Sequence, residues 1–187
     1  VVDWDLHHGN GTEHAFYARR DVMYFSTHQV PLYPGTGAVR SFGRGDGYGY
    51  NLNIPLLAGK GDADYLHIFE RILAPVAAQF KPEFILVSAG FDIAAGDPLG
   101  GMAVTPAGFG LLTASLLAMA ERTAAGRLAL VLEGGYDLRA LRDGVREVLK
   151  TLAKRDSPPA GDSPLPAPPS GGGSPRATLA KRDSPLP

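Results

Sequence analysis

Three short apolar runs, each followed closely by glycine, constrain the fold of this chain more than any other feature. They are VVDWDL at 1–6, FILVSA at 84–89 and LALVL at 128–132. Each is too short for a buried helix and rich in the residues that fill buried strands. Weaker strand patterns occur at 22–27 (VMYFST) and 50–56 (YNLNIPL). Helical patterns separate them. Asp62 is placed to cap a helix carrying Leu66, Phe69, Leu73 and Val76, interrupted near Pro75. Thr105-Pro106 opens a second helix that Gly126 closes. Leu138, Leu141, Val145, Val148 and Leu152 form the apolar stripe of a third. Strands alternating with helices predict an α/β fold, a parallel sheet covered by helices on both faces.

Composition limits the chemistry. The chain has no cysteine, so His, Asp and Glu are its strong metal ligands. A net charge of -1 gives no basic footprint for nucleic acid. No apolar run approaches the roughly 20 residues that cross a bilayer. VV is a short lead-in for a buried strand, which predicts that the sequence opens partway through a domain whose N-terminal part is missing. Residues 1–154 read as the folded portion. Residues 155–187 read as a disordered Pro/Gly/Ser-rich tail, since 9 of the 16 prolines fall after Asp156. TLAKRDSP, at 151–158 and again at 178–185, reads as a duplicated linker-like segment.

In parallel sheets of this kind ligands collect beyond the carboxyl ends of the strands. Strand alternation sends Asp3, Asp5 and His7 to one side and Trp4, Leu6 and His8 to the other. Asp92 follows the second long strand and Tyr136 the third. One imidazole and two carboxylates suit a divalent metal with a position open for water. An isolated Asp-x-His at a strand end is more often a cap or a hydrogen-bonded loop pair than a ligand set, so spacing alone leaves both readings open.

The motifs add to this. DWDLHHGNG at 3–11, YPGTG at 33–37, SAGFD at 88–92, GDPLGG at 96–101 and EGGY at 133–136 follow in order. Together, over about residues 1–150, they closely resemble the zinc-dependent histone deacetylases, including bacterial deacetylase-like members and acetylpolyamine amidohydrolases. Asn10 and GDPLGG resemble the class II branch. The resemblance implies an arginase/deacetylase-like three-layer fold and the C-terminal part of the catalytic domain. It implies a hydrolase that removes acetyl groups from lysine side chains of proteins or from acetylated polyamines. The implied zinc ligands are Asp5, His7 and Asp92, a donor set that ferrous iron also fits. Tyr136 is the implied transition-state hydroxyl. Asp3 and Ser26 would supply side-chain oxygens to a monovalent cation, potassium, with carbonyls of Asp5, His7 and Thr27. A second such site would use carbonyls of Phe16, Arg19, Val22 and Tyr50. Leu32 and Tyr33 match the wall of the acyl-lysine tunnel.

One departure stands out. The tandem His-His pair that supplies base and acid in these enzymes lies upstream of the first motif. The pair at 7–8 is a different one: His7 is committed to metal, and His8 reads as structural. His28 reads as a packing or hydrogen-bonding residue, and His14 and His67 as ordinary helix or loop residues. The 187 residues taken alone are therefore expected to be inactive, and a non-catalytic remnant is the competing reading. Manganese ureohydrolases share the fold but need a second metal. Here Gly9 and Ala94 occupy positions where its ligands would stand. The absence of an export signal suggests the cytoplasm.

Overall fold

The computed structural model describes residues 1–155. The expected tail, including the second TLAKRDSP, lies outside the described residues; Thr151–Arg155 of the first copy ends the last helix. Five parallel strands form one sheet in the order β3-β2-β1-β4-β5. They are β1 (Val2–Asp3), β2 (Tyr24–Gln29), β3 (Asn51–Leu56), β4 (Ile85–Ala89) and β5 (Leu128–Leu132). The chain steps outward from β1 to β3, then returns to lay β4 on the other flank of β1. That reversal places the topological switch between β1 and β4, where a crevice opens at the strand ends.

The first apolar run pairs over only two residues, Val2 with Phe25 and Val87, and Asp3 with Ser26 and Ser88. Beyond Asp3, side chains take over the backbone donors. Asp3 Oδ1 accepts from Asp5 N–H at 3.1 Å, and Asp5 Oδ1 from His7 N–H at 2.8 Å. Such local bonds offer the backbone an alternative to the ladder, so the strand ends where the carboxylates begin.

Right-handed crossovers put α1 (Asn10–Phe16) on one face. On the other lie α2 (Asp62–Ile68), α3 (Ala74–Phe80) and α4 (Pro106–Thr123). A π-helical turn, Phe69–Leu73, joins α2 to α3 just ahead of Pro75, whose missing N–H the expected interruption reflects. The last helix, α5 (Leu138–Arg155), packs along α4. The two sheet faces differ in chemistry. Val2, Phe25, Ile85 and Val87 join Trp4, Phe69, Leu73, Phe109 and Leu116 in the core. On the α1 face stand Asp3, Tyr24, Ser26, His28, Asn51 and Asn53, all buried. Glu13 of α1 reaches down to accept from Asn51 and Asn53 side chains at 2.8 and 3.2 Å.

Three details depart from expectation. Asp62 is the first residue of α2 rather than its cap; its carboxylate accepts instead from Thr105 N–H and Oγ1, tying α2 to the start of α4. Thr105 does cap α4, accepting from Gly108 N–H at 3.1 Å. Leu138 is 78% exposed and lies off the stripe that Leu141, Val145, Val148 and Leu152 press into the core. LALVL lies at the sheet edge among the described residues, pairing there with β4 alone, and Val131 and Leu132 are 49% and 59% exposed.

Candidate metal centre

Asp5 leaves β1 and Asp92 leaves β4, one on each side of the switch point. With His7 they bring one ligand atom each to within 4.8 Å of one another. His7 Nδ1 lies 3.2 Å from Asp5 Oδ1 and 3.2 Å from Asp92 Oδ2. Each carboxylate is aimed by a backbone N–H across the crevice. Leu6 donates to Asp92 Oδ1 at 2.9 Å, and Gly134 donates to Asp5 Oδ2 at 2.9 Å.

Asp92 is fully buried, and its Oδ2 accepts no hydrogen bond of good geometry. Burial and then the neighbouring Asp5 charge raise its carboxyl well above the usual carboxylate range. A buried, underused oxygen facing a second carboxylate and an imidazole is the donor set a divalent cation satisfies. Two glycines make the approach possible. A Cβ on Gly90 would stand 2.3 Å from Asp5 Oδ2, and one on Gly134 would stand 2.2 Å from Asp92 Oδ2. The sequence motifs singled out both turns; their reason is space for the carboxylates.

Tyr136 lines the same cleft of about 580 Å³ together with Asp5, His7, Tyr33 and Leu99. Its side chain is 50% exposed. What burial it has, followed by the charges of Asp92, Asp5 and Asp97, raises its hydroxyl pKa, so the phenol stays protonated and remains a donor.

The model of the histone deacetylase domain matches residues 1–152. The chain belongs to the histone deacetylase family. A probable deacetylase of Archaeoglobus fulgidus is 47% identical over 138 residues, covering 74% of this chain and 38% of that protein. The chloroplastic histone deacetylase 10 of Oryza sativa subsp. japonica is 43% identical, over 86% of this chain and 38% of its own length. The crystal structure of the HDA15 HD domain superposes with a TM-score of 0.78 at 43% identity, covering 82% of this chain and 43% of that one. The histone deacetylase Clr3 gives 0.77 at 42% identity, with 82% and 26% covered. This chain thus spans 38% of the length of the first two relatives.

Within this histone deacetylase domain the remaining expected residues separate. The Tyr33 ring meets the His7 ring edge-on at 6.4 Å and stands 77% exposed at the cleft mouth. Leu32 faces away, into a neighbouring cavity bordered by α1 and the 30–38 loop. Asp3 and Ser26 are register partners, both buried. Burial lifts Asp3 to about 7 against the pull of its hydrogen bonds from Tyr24 and Asp5. Ser26 Oγ pairs with His28 Nδ1 at 3.0 Å. Of the carbonyls expected at the second cation site, that of Phe16 accepts from Arg19 N–H and that of Tyr50 from Tyr24 N–H.

Alternation placed His8 with Trp4 and Leu6, but β1 ends at Asp3 and the chain beyond it carries His8 to the α1 side, beside Tyr24 and Glu13. His8 Nδ1 meets Thr36 Oγ1 at 2.7 Å, its Nε2 lies 2.7 Å from Glu13 Oε2, and its ring centre lies 4.7 Å from that of His28, the planes inclined by 55°. His28 in turn bonds the Gly37 carbonyl at 2.9 Å. His14 lies exposed on α1 and His67 exposed on α2. Among the described residues, Asp5, His7 and Asp92 are the one group of His, Asp and Glu side chains close enough to share a metal ion.

Sequence reasoning missed two residues. Tyr24 donates to Asp3 Oδ2 at 2.8 Å, and Asp97 accepts from the backbone of the Tyr136 loop. Tyr24 was legible as the period-2 partner of Ser26 and His28. Asp97 sat in a quoted motif with no chemistry attached.

Proposed function

We propose that this chain carries the metal-binding half of a deacetylase active site, acting on acetamides of primary amines: acetylated lysine side chains or acetylated polyamines. The observation that carries the reading is the meeting of Asp5, His7 and Asp92 at the switch point, beneath a cleft walled by Tyr136 and Tyr33. The three residues would hold zinc or ferrous iron. A divalent cation there supplies Lewis acidity toward the acetamide and makes bound water more acidic. Tyr136 donates its hydroxyl to the carbonyl oxygen as that atom gains charge, an interaction stronger in the transition state than in the ground state. Tyr33 presents an aromatic flank to the aliphatic stem of the substrate amine. Asp3 and Ser26, both buried, would supply side-chain oxygens to potassium.

The proton acceptor is not among the described residues at the cleft. His7 is a ligand, His8 is held by Thr36 and Glu13, and His28 by Ser26 and Gly37. We therefore assign the base and acid to the His-His segment that the family places ahead of the first motif. These 187 residues by themselves should bind the metal weakly and turn over negligibly. The test is hydrolysis of acetyl-lysine peptide and N-acetylputrescine by the intact protein, by the Asp92→Ala variant and by the 187-residue chain. Full activity in the variant would overturn the site. Activity in the short chain would overturn the assignment of the base.

A further inference from the structure

The GDPLGG motif has no part in the chemistry above, yet its aspartate lies against the Tyr136 loop. Asp97 is 5% exposed. Its Oδ2 accepts from Tyr136 N–H at 2.7 Å and from Asp137 N–H at 3.1 Å, and its Oδ1 accepts from Leu99 N–H at 2.9 Å. Both ends of one buried carboxylate are thus occupied by backbone donors, from two loops that both line the cleft.

We propose that Asp97 is a positioning residue that holds the Tyr136 backbone, and so the phenol, in register with the metal ligands. This rests on the reading that Tyr136 stabilises the developing oxyanion. Tyr136 is half exposed, so the placement of its phenol depends on how firmly its backbone is held. Three anchors hold it. Gly134 N–H is bound to Asp5, its carbonyl accepts from Phe91 N–H at 2.8 Å, and the next two donors after Gly135 go to Asp97. The first two anchors lie before Gly135, whose φ of +138° is a backbone conformation that L side chains rarely adopt. Asp97 is the anchor that acts directly on Tyr136. Downstream, Asp137 caps α5 through Oδ1, accepting from Arg139 and Ala140 N–H at 2.9 and 2.8 Å.

A carboxylate is required because donors meet it at both ends. An asparagine of the same shape must turn its NH₂ toward Leu99 N–H or toward the Tyr136 and Asp137 pair, setting donor against donor. Asp97→Asn therefore loosens the loop while keeping the volume. In the intact enzyme it should lower kcat by roughly 10- to 100-fold, since small misplacements of a reacting group carry costs of that order. KM and zinc affinity should change by less than about threefold, because neither depends on the phenol position. A merely structural role gives a different pattern. In a Tyr136→Phe background, Asp97→Asn should cost less than about threefold more, because the hydroxyl it positions is already gone. An equal loss in both backgrounds, or a change confined to KM, overturns the proposal.

Hydrogen–deuterium exchange at the Tyr136 and Asp137 amides of the unmodified protein supplies a measurement free of variant folding and of activity. Both amides should be protected, and exchange at the rate of an open loop overturns the anchor. If the wild type fails on every acetamide, or Tyr136→Phe is silent, the deacetylase reading falls by itself while the exchange result still decides whether Asp97 holds the loop.

Discussion

Replacing Gly134 with alanine tests the metal centre through space rather than through a ligand. The added methyl carbon would sit 2.2 Å from Asp92 Oδ2 and 2.8 Å from Asp5 Oδ2, where nonbonded carbon and oxygen require more than 3 Å. Asp92 is fully buried and cannot swing into solvent, so the backbone at 134 must retreat. That retreat stretches the 2.9 Å bond from Gly134 N–H to Asp5 Oδ2. Overpacking of this kind costs about 1–3 kcal/mol, and weakening a bond to a charged acceptor adds up to about 1.5–3 kcal/mol. Some of that strain reaches stability and some reaches the ligand set. A share of about 3 kcal/mol on metal binding corresponds to a loss of roughly 150-fold in affinity. Titration of the intact protein with zinc against a chelating dye reads this directly, with circular dichroism as the folding control. Gly11→Ala is the matched comparison, since a Cβ at that helical position meets nothing within 4 Å. Unchanged zinc affinity in Gly134→Ala would refute the convergence of Asp5 and Asp92 on one ion.

Four further outcomes are expected. Tyr136→Phe should reduce kcat by about 10²–10³-fold, the usual loss for an oxyanion donor, with zinc affinity intact in a dye titration. Trp4→Ala, emptying a site between Phe69 and Phe109 where the indole is fully buried, should cost about 3–5 kcal/mol in denaturant unfolding. His28 is held neutral, lowered to about 4 by burial and then by His8, so its stabilising contribution is complete above the unfolded value of about 6.5 and fades as pH falls toward 4. The stability gap between wild type and His28→Gln should therefore shrink by up to about 3 kcal/mol between pH 7 and pH 4 in urea melts, and a pH-independent gap would contradict it. Asp137→Ala should remove the α5 cap and lower stability by about 1 kcal/mol in the same melts.

The parallel sheet was readable because its strands are short, apolar and closed by glycine. The meeting of Asp5, His7 and Asp92 was readable because they lie just past those runs, whereas their role as ligands was only what the resemblance implied. Neither signal reports sheet order, so the exposure of β5 escaped: an apolar pentapeptide reads alike whether one neighbour flanks it or two. The polar face escaped for another reason. Tyr24, Ser26 and His28 alternate along β2, and Asn51 and Asn53 along β3, a period that marks a solvated face in most sheets. Here Glu13 and α1 close over it, and a contact between residue 13 and residues 51 and 53 has no local signature. Asp62 illustrates the same limit. Its position promised a cap, and a partner 43 residues away took the carboxylate instead.

The sheet also acts as a ruler. Asp5 and Asp92 follow adjacent strands locked together at Asp3 and Ser88, so ladder spacing, about 4.8 Å, fixes the roots of the two segments that carry the acids. Drift in the loops around Tyr33 and Leu99 can retailor what enters the cleft while the gauge beneath it stays the same.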